Sequence, residues 1–235
     1  MNYGIIAAGE GSRLVEEGVA YPKPLVPLAG TPMIGRLIDI FLRNNAEKMA
    51  VIVNEQMKEV QQYLIELAKS LPVELDLIIK STPSSMHSFY EVAHALEGHG
   101  RFITTTVDTI FYESEFEKYV KAFESADEKV DGMMALTKYI DDEKPLYVEV
   151  GEDMRIEAFL DRPGEHTEFV SGGIYGLDGK AVKVLDRCMS EGISRMRNYQ
   201  RQLLSAGLRI EGFDMGKIID VDHAGDIRKA EEFIN

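Results

Sequence analysis

The sequence predicts an α/β fold, doubly wound about a mostly parallel Rossmann-like sheet, with extra strands over its C-terminal edge. Three observations predict it. Short apolar runs alternate with helical patterns through the first half of the chain. Those runs are continuously apolar rather than alternating, as strands covered on both faces are. After Val130 the spacing changes: strand-like runs follow one another, separated by turn signals, before helices return.

The first half reads as βαβ units. Strands are expected at 3–8, 49–54, 74–81 and 101–108. The first helix is expected to open at Thr31-Pro32, a cap residue followed by proline at the first helical position. It shows Ile34, Leu37, Ile38, Phe41 and Leu42 on one face. A second carries Val60, Tyr63, Leu64, Leu67 and Leu71, and a third, from about Ser85, carries Phe89, Val92, Ala93 and Leu96. In the second half strands are expected at 132–140, 146–150, 155–160 and 169–178 and helices at about 179–190 and 195–206. One further strand over 209–222 and a terminal helix from about Ala224 complete the chain.

Bulk properties narrow the function. A chain of 235 residues suits one large domain with a sizeable core and leaves no length for an appended acyltransferase or hexapeptide-repeat domain. The net charge of −14 argues against nonspecific binding to a nucleic acid backbone. No apolar run approaches the roughly 20 residues that span a bilayer. The N-terminus lacks a basic segment and cleavage site, and the one cysteine, Cys188, has no internal disulfide partner, so a cytoplasmic location is expected.

The stretch IIAAGEGSRL, residues 5–14, ends a strand in a glycine-rich turn carrying Ser12 and Arg13. Such turns hold phosphate, because glycine lets the backbone approach and N–H groups point inward. P-loop spacing is absent, and a dinucleotide fingerprint fails at Leu14. A tight turn without a ligand is the plain alternative. Just downstream, Pro22 and Pro24 stiffen the chain on either side of Lys23, which aims the ammonium or leaves it solvated on a crossing loop. Asp108 falls at the end of a strand, where open α/β sheets bind ligands, although it can equally cap the next turn. Asp220 and Asp222 alternate around Val221 and share one side of an extended segment. Asp222 can alternatively cap the terminal helix, and Asp226 suits a first-turn acid.

Together, AAGEGSRL (7–14) and PKPLVPLAGTPMI (22–34) resemble the paired N-terminal motif of nucleotidyltransferases that make nucleotide-activated sugars and alcohols. FITTTVDTIF, AFLDRPGEHTEFVSGGIYGLD and IIDVDHAGDIRKAEEF resemble further motifs of that family, so the likeness spans nearly the whole chain. It implies one nucleotidyltransferase domain over 1–235, with a nucleotide-binding half (1–130) and an acceptor-binding half (131–235). It implies that Ala7, Ala8, Gly9, Gly11, Ser12 and Arg13 surround a nucleoside triphosphate, with Arg13 and Lys23 stabilising charge on the reacting phosphates. It also implies Mg²⁺ held by Asp108 with Asp220 or Asp222. SSMHSFYEVAHAL (84–96) looks like the branch that activates phosphocholine, which puts Ser85 and Ser88 at base and ribose; an ordinary helix start is the alternative. Asp161, Arg162, Gly172 and Gly173 would meet the acceptor.

Between Arg13 and Pro22 the acidic VEEGVAY departs from the family and looks like a mobile lid. The partners expected are an NTP, CTP or UTP in preference, and a small phosphorylated acceptor, either a sugar 1-phosphate or phosphocholine-like. A homodimer is left open, and no nucleic acid or membrane is expected. A non-catalytic nucleotide sensor on the same fold is the alternative, and turnover separates the two. His87, His94, His99, His166 and His223 show no zinc spacing.

Overall fold

The computed structural model describes residues 1–98, 100–141, 144–165 and 167–234. His99 and His166 therefore lie outside the described residues. In chain order the first half holds β1 (Asn2–Ala7), α1 (Ser12–Glu16), a 3₁₀ turn at Lys23–Leu25, β2 (Pro27–Leu28), β3 (Thr31–Pro32), α2 (Met33–Arg43), β4 (Lys48–Val53), α3 (Lys58–Ala68), β5 (Glu74–Ile79), α4 (Ser85–Leu96), β6 (Phe102–Thr106), β7 (Thr109–Ile110) and α5 (Glu113–Ser125). The second half holds β8 (Gly132–Thr137), β9 (Tyr147–Val150), β10 (Ile156–Leu160), β11 (Phe169–Leu177), α6 (Gly179–Ser190), α7 (Met196–Ser205), β12 (Ile210–Asp214), β13 (Ile219–Asp220) and α8 (Ala224–Ile234).

Nine strands form one sheet in the order β10-β9-β11-β6-β1-β4-β5, with β8 paired to both β11 and β12. The centre is parallel: β1 lies between β6 and β4, and β4 pairs with β5. The second half adds antiparallel strands through β11. Every residue of β1 is buried, and its side chains sort with the pleat. Tyr3, Ile5 and Ala7 join the core under α2, α5 and α8, whereas Ile6 and Ala8 join the core under α4, α6 and α7. A strand that must be apolar on both sides loses the alternation of a half-exposed one, which is why the run reads as continuous.

Three local readings change. Thr31 and Pro32 do not open α2. Ala29 and Gly30, both at positive φ, make a tight hairpin, and Thr31-Pro32 are spent as its second strand against Pro27-Leu28. Pro32 then caps α2 from outside the helix. The strand expected over 209–222 breaks in two, because β12 follows β8 while β13 leaves the sheet to pair antiparallel with β7. Finally, α5 is an additional helix, with Phe116, Tyr119, Val120 and Phe123 buried at helical spacing.

No helix among the described residues is long and apolar enough to cross a membrane.

Candidate active site

A cleft of about 550 Å³ opens at the C-terminal ends of β1, β4 and β6, and the loop after β1 forms one wall. Gly11 holds φ 63, a region costly for residues with a side chain. A Cβ there would also lie 2.9 Å from the Lys23 Cβ, so the glycine lets the lysine stem pass behind the loop. Gly9 has open space instead and faces the cleft. On the far wall, Asn54 fastens the loop: its amide donates to the Ala8 carbonyl at 3.2 Å, and its side-chain oxygen accepts from the Gln56 N–H and the Ser81 hydroxyl.

Lys23 lies in the 3₁₀ turn between the two prolines, its side chain only 11% exposed. Its ammonium lies 2.5 Å from Asp108 Oδ2 and donates to Asp222 Oδ1 at 2.7 Å. Arg13 Nη1 donates to the other oxygen of Asp222 at 3.1 Å. Burial pulls the Lys23 pKa down, but the two carboxylates outweigh it, so the net shift is upward and the ammonium stays charged. Four residues from positions 13 to 222 thus meet at one point.

The short β7–β13 ribbon makes this possible. Asp220 pairs with Thr109, and the Val221 N–H donates to the Asp108 carbonyl at 3.1 Å. The ribbon thereby carries the far end of the chain alongside the end of β6. Asp108 lies in the turn between β6 and β7, with its carboxylate directed to Lys23. Asp222 does not cap α8. Asp226 accepts from the N–H groups of Asp222 and His223, which frees the Asp222 carboxylate for the two cations. Asp220 accepts from the Thr109 hydroxyl at 3.3 Å and lines the same space as Asp222.

Of the other expected residues, Ala7, Ala8, Gly9, Gly11, Ser12, Ser85 and Ser88 all line the cleft. Ser88 is buried, its hydroxyl 2.6 Å from that of Thr82. Gly172 and Gly173 fall at an irregularity in β11, and Gly173 at φ 74 brings the backbone close to Thr106 and Thr109. Asp161 and Arg162 are not brought to the cleft. Asp161 is held by Arg197 and Arg201 at 2.7 and 2.9 Å, and Arg162 is exposed outside it. The acidic stretch after Arg13 is anchored: Glu17 accepts from the Ala224 N–H and meets His223 Nδ1, both at 2.6 Å. That hydrogen bond lowers the Glu17 pKa and raises that of His223. Sequence reasoning missed Asn54, Lys144, Arg195, Arg197 and Gln200, all of which line the cleft or its extension. Only Asn54 left a signal, a polar residue ending the buried run MAVIV.

A sequence model of the nucleotidyl transferase family matches residues 4–216. The chain belongs to that family. The bifunctional protein GlmU of Methanococcus maripaludis (strain C5) is 25% identical over 98% of this chain and 54% of its own, so this chain spans about half the length of that relative. Among solved structures, the inositol-1-phosphate CTP transferase from T. maritima superposes with a TM-score of 0.79 at 18% identity, covering 100% of this chain and 97% of that one. A Bacillus anthracis protein provisionally assigned as a glucose-1-phosphate thymidylyltransferase gives 0.83, also at 18% identity, covering 99% and 95%. At these identities the superpositions establish the nucleotide-diphospho-sugar transferase fold.

The donor set suits a hard cation. Two carboxylates already share one positive centre at Lys23. Among the described residues no group of three or more His, Cys, Asp or Glu is arranged around a metal position. Mg²⁺ does not need one, since it typically takes one or two carboxylates and completes its shell with water and substrate phosphates.

Proposed function

We propose that this nucleotidyltransferase moves an NMP group from an NTP, CTP or UTP in preference, to a small phosphorylated acceptor. An acceptor phosphate oxygen attacks the α-phosphorus, the bond from that phosphorus to the bridging oxygen breaks, and pyrophosphate leaves. The observation that carries this reading is the meeting of Arg13, Lys23, Asp108 and Asp222 at the mouth of a glycine loop. The loop after β1 cradles the triphosphate through backbone N–H groups. Lys23 and Arg13 turn from the carboxylates to the phosphates and stabilise charge as it builds on them. Asp108 and Asp222, with Asp220 beside them, would hold Mg²⁺, which neutralises phosphate charge when bound. Holding both reactants in line supplies the rest, and no covalent intermediate with the protein is involved.

The pyrimidine preference rests on the hydroxyl-rich entry to α4, where Ser84, Ser85 and Ser88 frame the base end, and on the name of the T. maritima neighbour. The test is a pyrophosphate-release screen of four NTPs against sugar 1-phosphates, inositol 1-phosphate and phosphocholine with Mg²⁺. Release with one NTP–acceptor pair is expected. Tight NTP binding with no release from any pair would make the protein a nucleotide sensor instead.

A further inference from the structure

Beyond the ion-pair cluster the cleft continues into a second lobe of about 320 Å³ whose two ends differ in charge. Asp108, Asp220 and Asp222 stand at one end, and Lys144, Arg195 and Arg197 at the other. Arg197 is anchored from behind. Its Nη1 donates to Asp161 Oδ1 at 2.7 Å and its Nη2 to the Lys144 carbonyl at 2.8 Å. A guanidinium carries five N–H donors, and among the described residues these two bonds engage two of them while holding the group in a fixed orientation. Asp161 also holds Arg201, so among the described residues one carboxylate serves two arginines. Between the ends lies a neutral wall. Gln200, 1% exposed, donates to the Ser171 hydroxyl at 3.1 Å, and Ser171 also meets the Tyr175 hydroxyl, a phenol that burial keeps protonated.

Resting on the nucleotidyl-transfer reading, we infer that Arg197, oriented by Asp161, is the specificity-determining residue of the acceptor lobe. It donates to the hydroxyl-bearing body of the acceptor and rejects acceptors with a cationic head group. Polyol hydroxyls accept from guanidinium N–H groups and donate to the Gln200 carbonyl. A trimethylammonium group neither donates nor accepts in this way and is recognised by several aromatic faces. Among the described residues Tyr175 is the one aromatic ring lining the lobe, and the lobe's far end is cationic. Asp161 acts through Arg197 and is a positioning residue.

The experiment measures pyrophosphate release at saturating CTP and UTP against a panel of hexose 1-phosphates, inositol 1-phosphate and phosphocholine. It uses the wild type, Arg197→Gln, Asp161→Asn and Asp161→Glu, with nucleotide binding followed by calorimetry. Turnover is expected on a polyol phosphate and not on phosphocholine. Arg197→Gln should raise the KM for that acceptor roughly 10- to 100-fold, the usual effect of losing a charge-assisted hydrogen bond, with the nucleotide Kd unchanged. Asp161→Asn should raise the same KM with little change in kcat, and Asp161→Glu should restore most of it. Preferred turnover of phosphocholine, turnover of phosphocholine with none of any polyol phosphate, or an unchanged acceptor KM in Arg197→Gln would overturn the inference. Failure of the underlying reading is distinct: the wild type would then release no pyrophosphate with any acceptor, phosphocholine included, whether or not it binds nucleotide.

Discussion

The two ends of the cleft are built in opposite ways. At the nucleotide end, Gly11 and Lys23 come from one short stretch, and the lack of a Cβ at Gly11 leaves room for the Lys23 stem. Their acidic partners, Asp108 and Asp222, are delivered by the ends of sheet elements. At the acceptor end the working groups come from the loop before β9, the start of α7 and its second turn, and are set by an acid 36 residues away, Asp161. The first end is built on a short motif, from Gly11 to Lys23, to which two distant acids are brought. The second is a convergence of separately placed side chains. On the proposed reading, the motif and the acids brought to it fix charge where the reaction would occur, and a convergent lobe can vary its contents without disturbing that charge.

Substitutions at the nucleotide end break this contrast most severely. Lys23→Ala and Asp108→Ala are each expected to abolish pyrophosphate release, a loss in kcat of at least ~10²-fold, the scale for removing one preorganised electrostatic group. Circular dichroism should show both variants folded, because the cluster lies at the cleft surface rather than in either core. Arg197→Gln should change the acceptor KM instead of kcat. Equal effects of Lys23→Ala and Arg197→Gln on kcat would erase the functional difference between the two ends.

Asp222 and Asp220 test the same contrast at finer scale. Asp222 touches both cations, whereas Asp220 meets Thr109 in the β7–β13 ribbon. Asp222→Asn is expected to cost roughly 10²-fold in kcat, and Asp220→Asn less, measured by the same release assay. The reverse order would move the essential carboxylate to Asp220.

What could be read from the sequence follows this division. The parallel core was readable because strands buried on both faces have no polar alternation, and β1, β4, β5 and β6 fall within two residues of expectation at every end. Glycine, proline and a strand end singled out Arg13, Lys23 and Asp108 locally but left plain structural alternatives, and it was the resemblance to a family motif that joined them into one expected site. α5 was missed although Phe116, Tyr119, Val120 and Phe123 carry a helical period, because acids and lysines intervene between them. Asp161 was read as an acceptor contact from its place in a motif. Its true neighbours, Arg197 and Arg201, lie on α7, and nothing in local spacing announces that α7 packs beside β10. That Asp222 reaches both Lys23 and Arg13 depends on β13 leaving the main sheet, a tertiary event invisible to alternation alone.

Glycine substitutions sharpen the account of the loop. Gly11→Ala forces a side chain into a left-handed conformation and within 2.9 Å of the Lys23 stem. A loss of about 1–3 kcal/mol in urea unfolding is expected, together with reduced turnover as Lys23 is displaced. Gly9→Ala meets nothing within 4 Å, so its stability should match the wild type within about 0.5 kcal/mol. Any defect it shows should then lie in nucleotide affinity, where an added methyl obstructs the approach of phosphate to the backbone. A large stability loss in Gly9→Ala would mean that both glycines serve the fold.

The smallest effect concerns His94, which sits away from the chemistry and joins α4, the helix of the base end, to α6. Its Nδ1 lies 2.7 Å from Glu97 and its Nε2 2.8 Å from Asp186, so both ring nitrogens face carboxylates and both need a proton. Desolvation lowers its pKa, but the hydrogen bonds to Asp186 and Glu97 prevail and raise it above the ordinary 6.5. A pKa higher in the folded than the unfolded state stabilises the fold fully below the unfolded value, and that stabilisation is lost as pH rises through the folded value. The urea midpoint gap between wild type and His94→Gln should therefore be widest below the ordinary value of 6.5 and shrink as pH rises through the higher folded value. The pair is partly exposed, so its size should stay under about 1 kcal/mol. A gap that widened with rising pH would show that the neutral imidazole, not the imidazolium, joins the two helices.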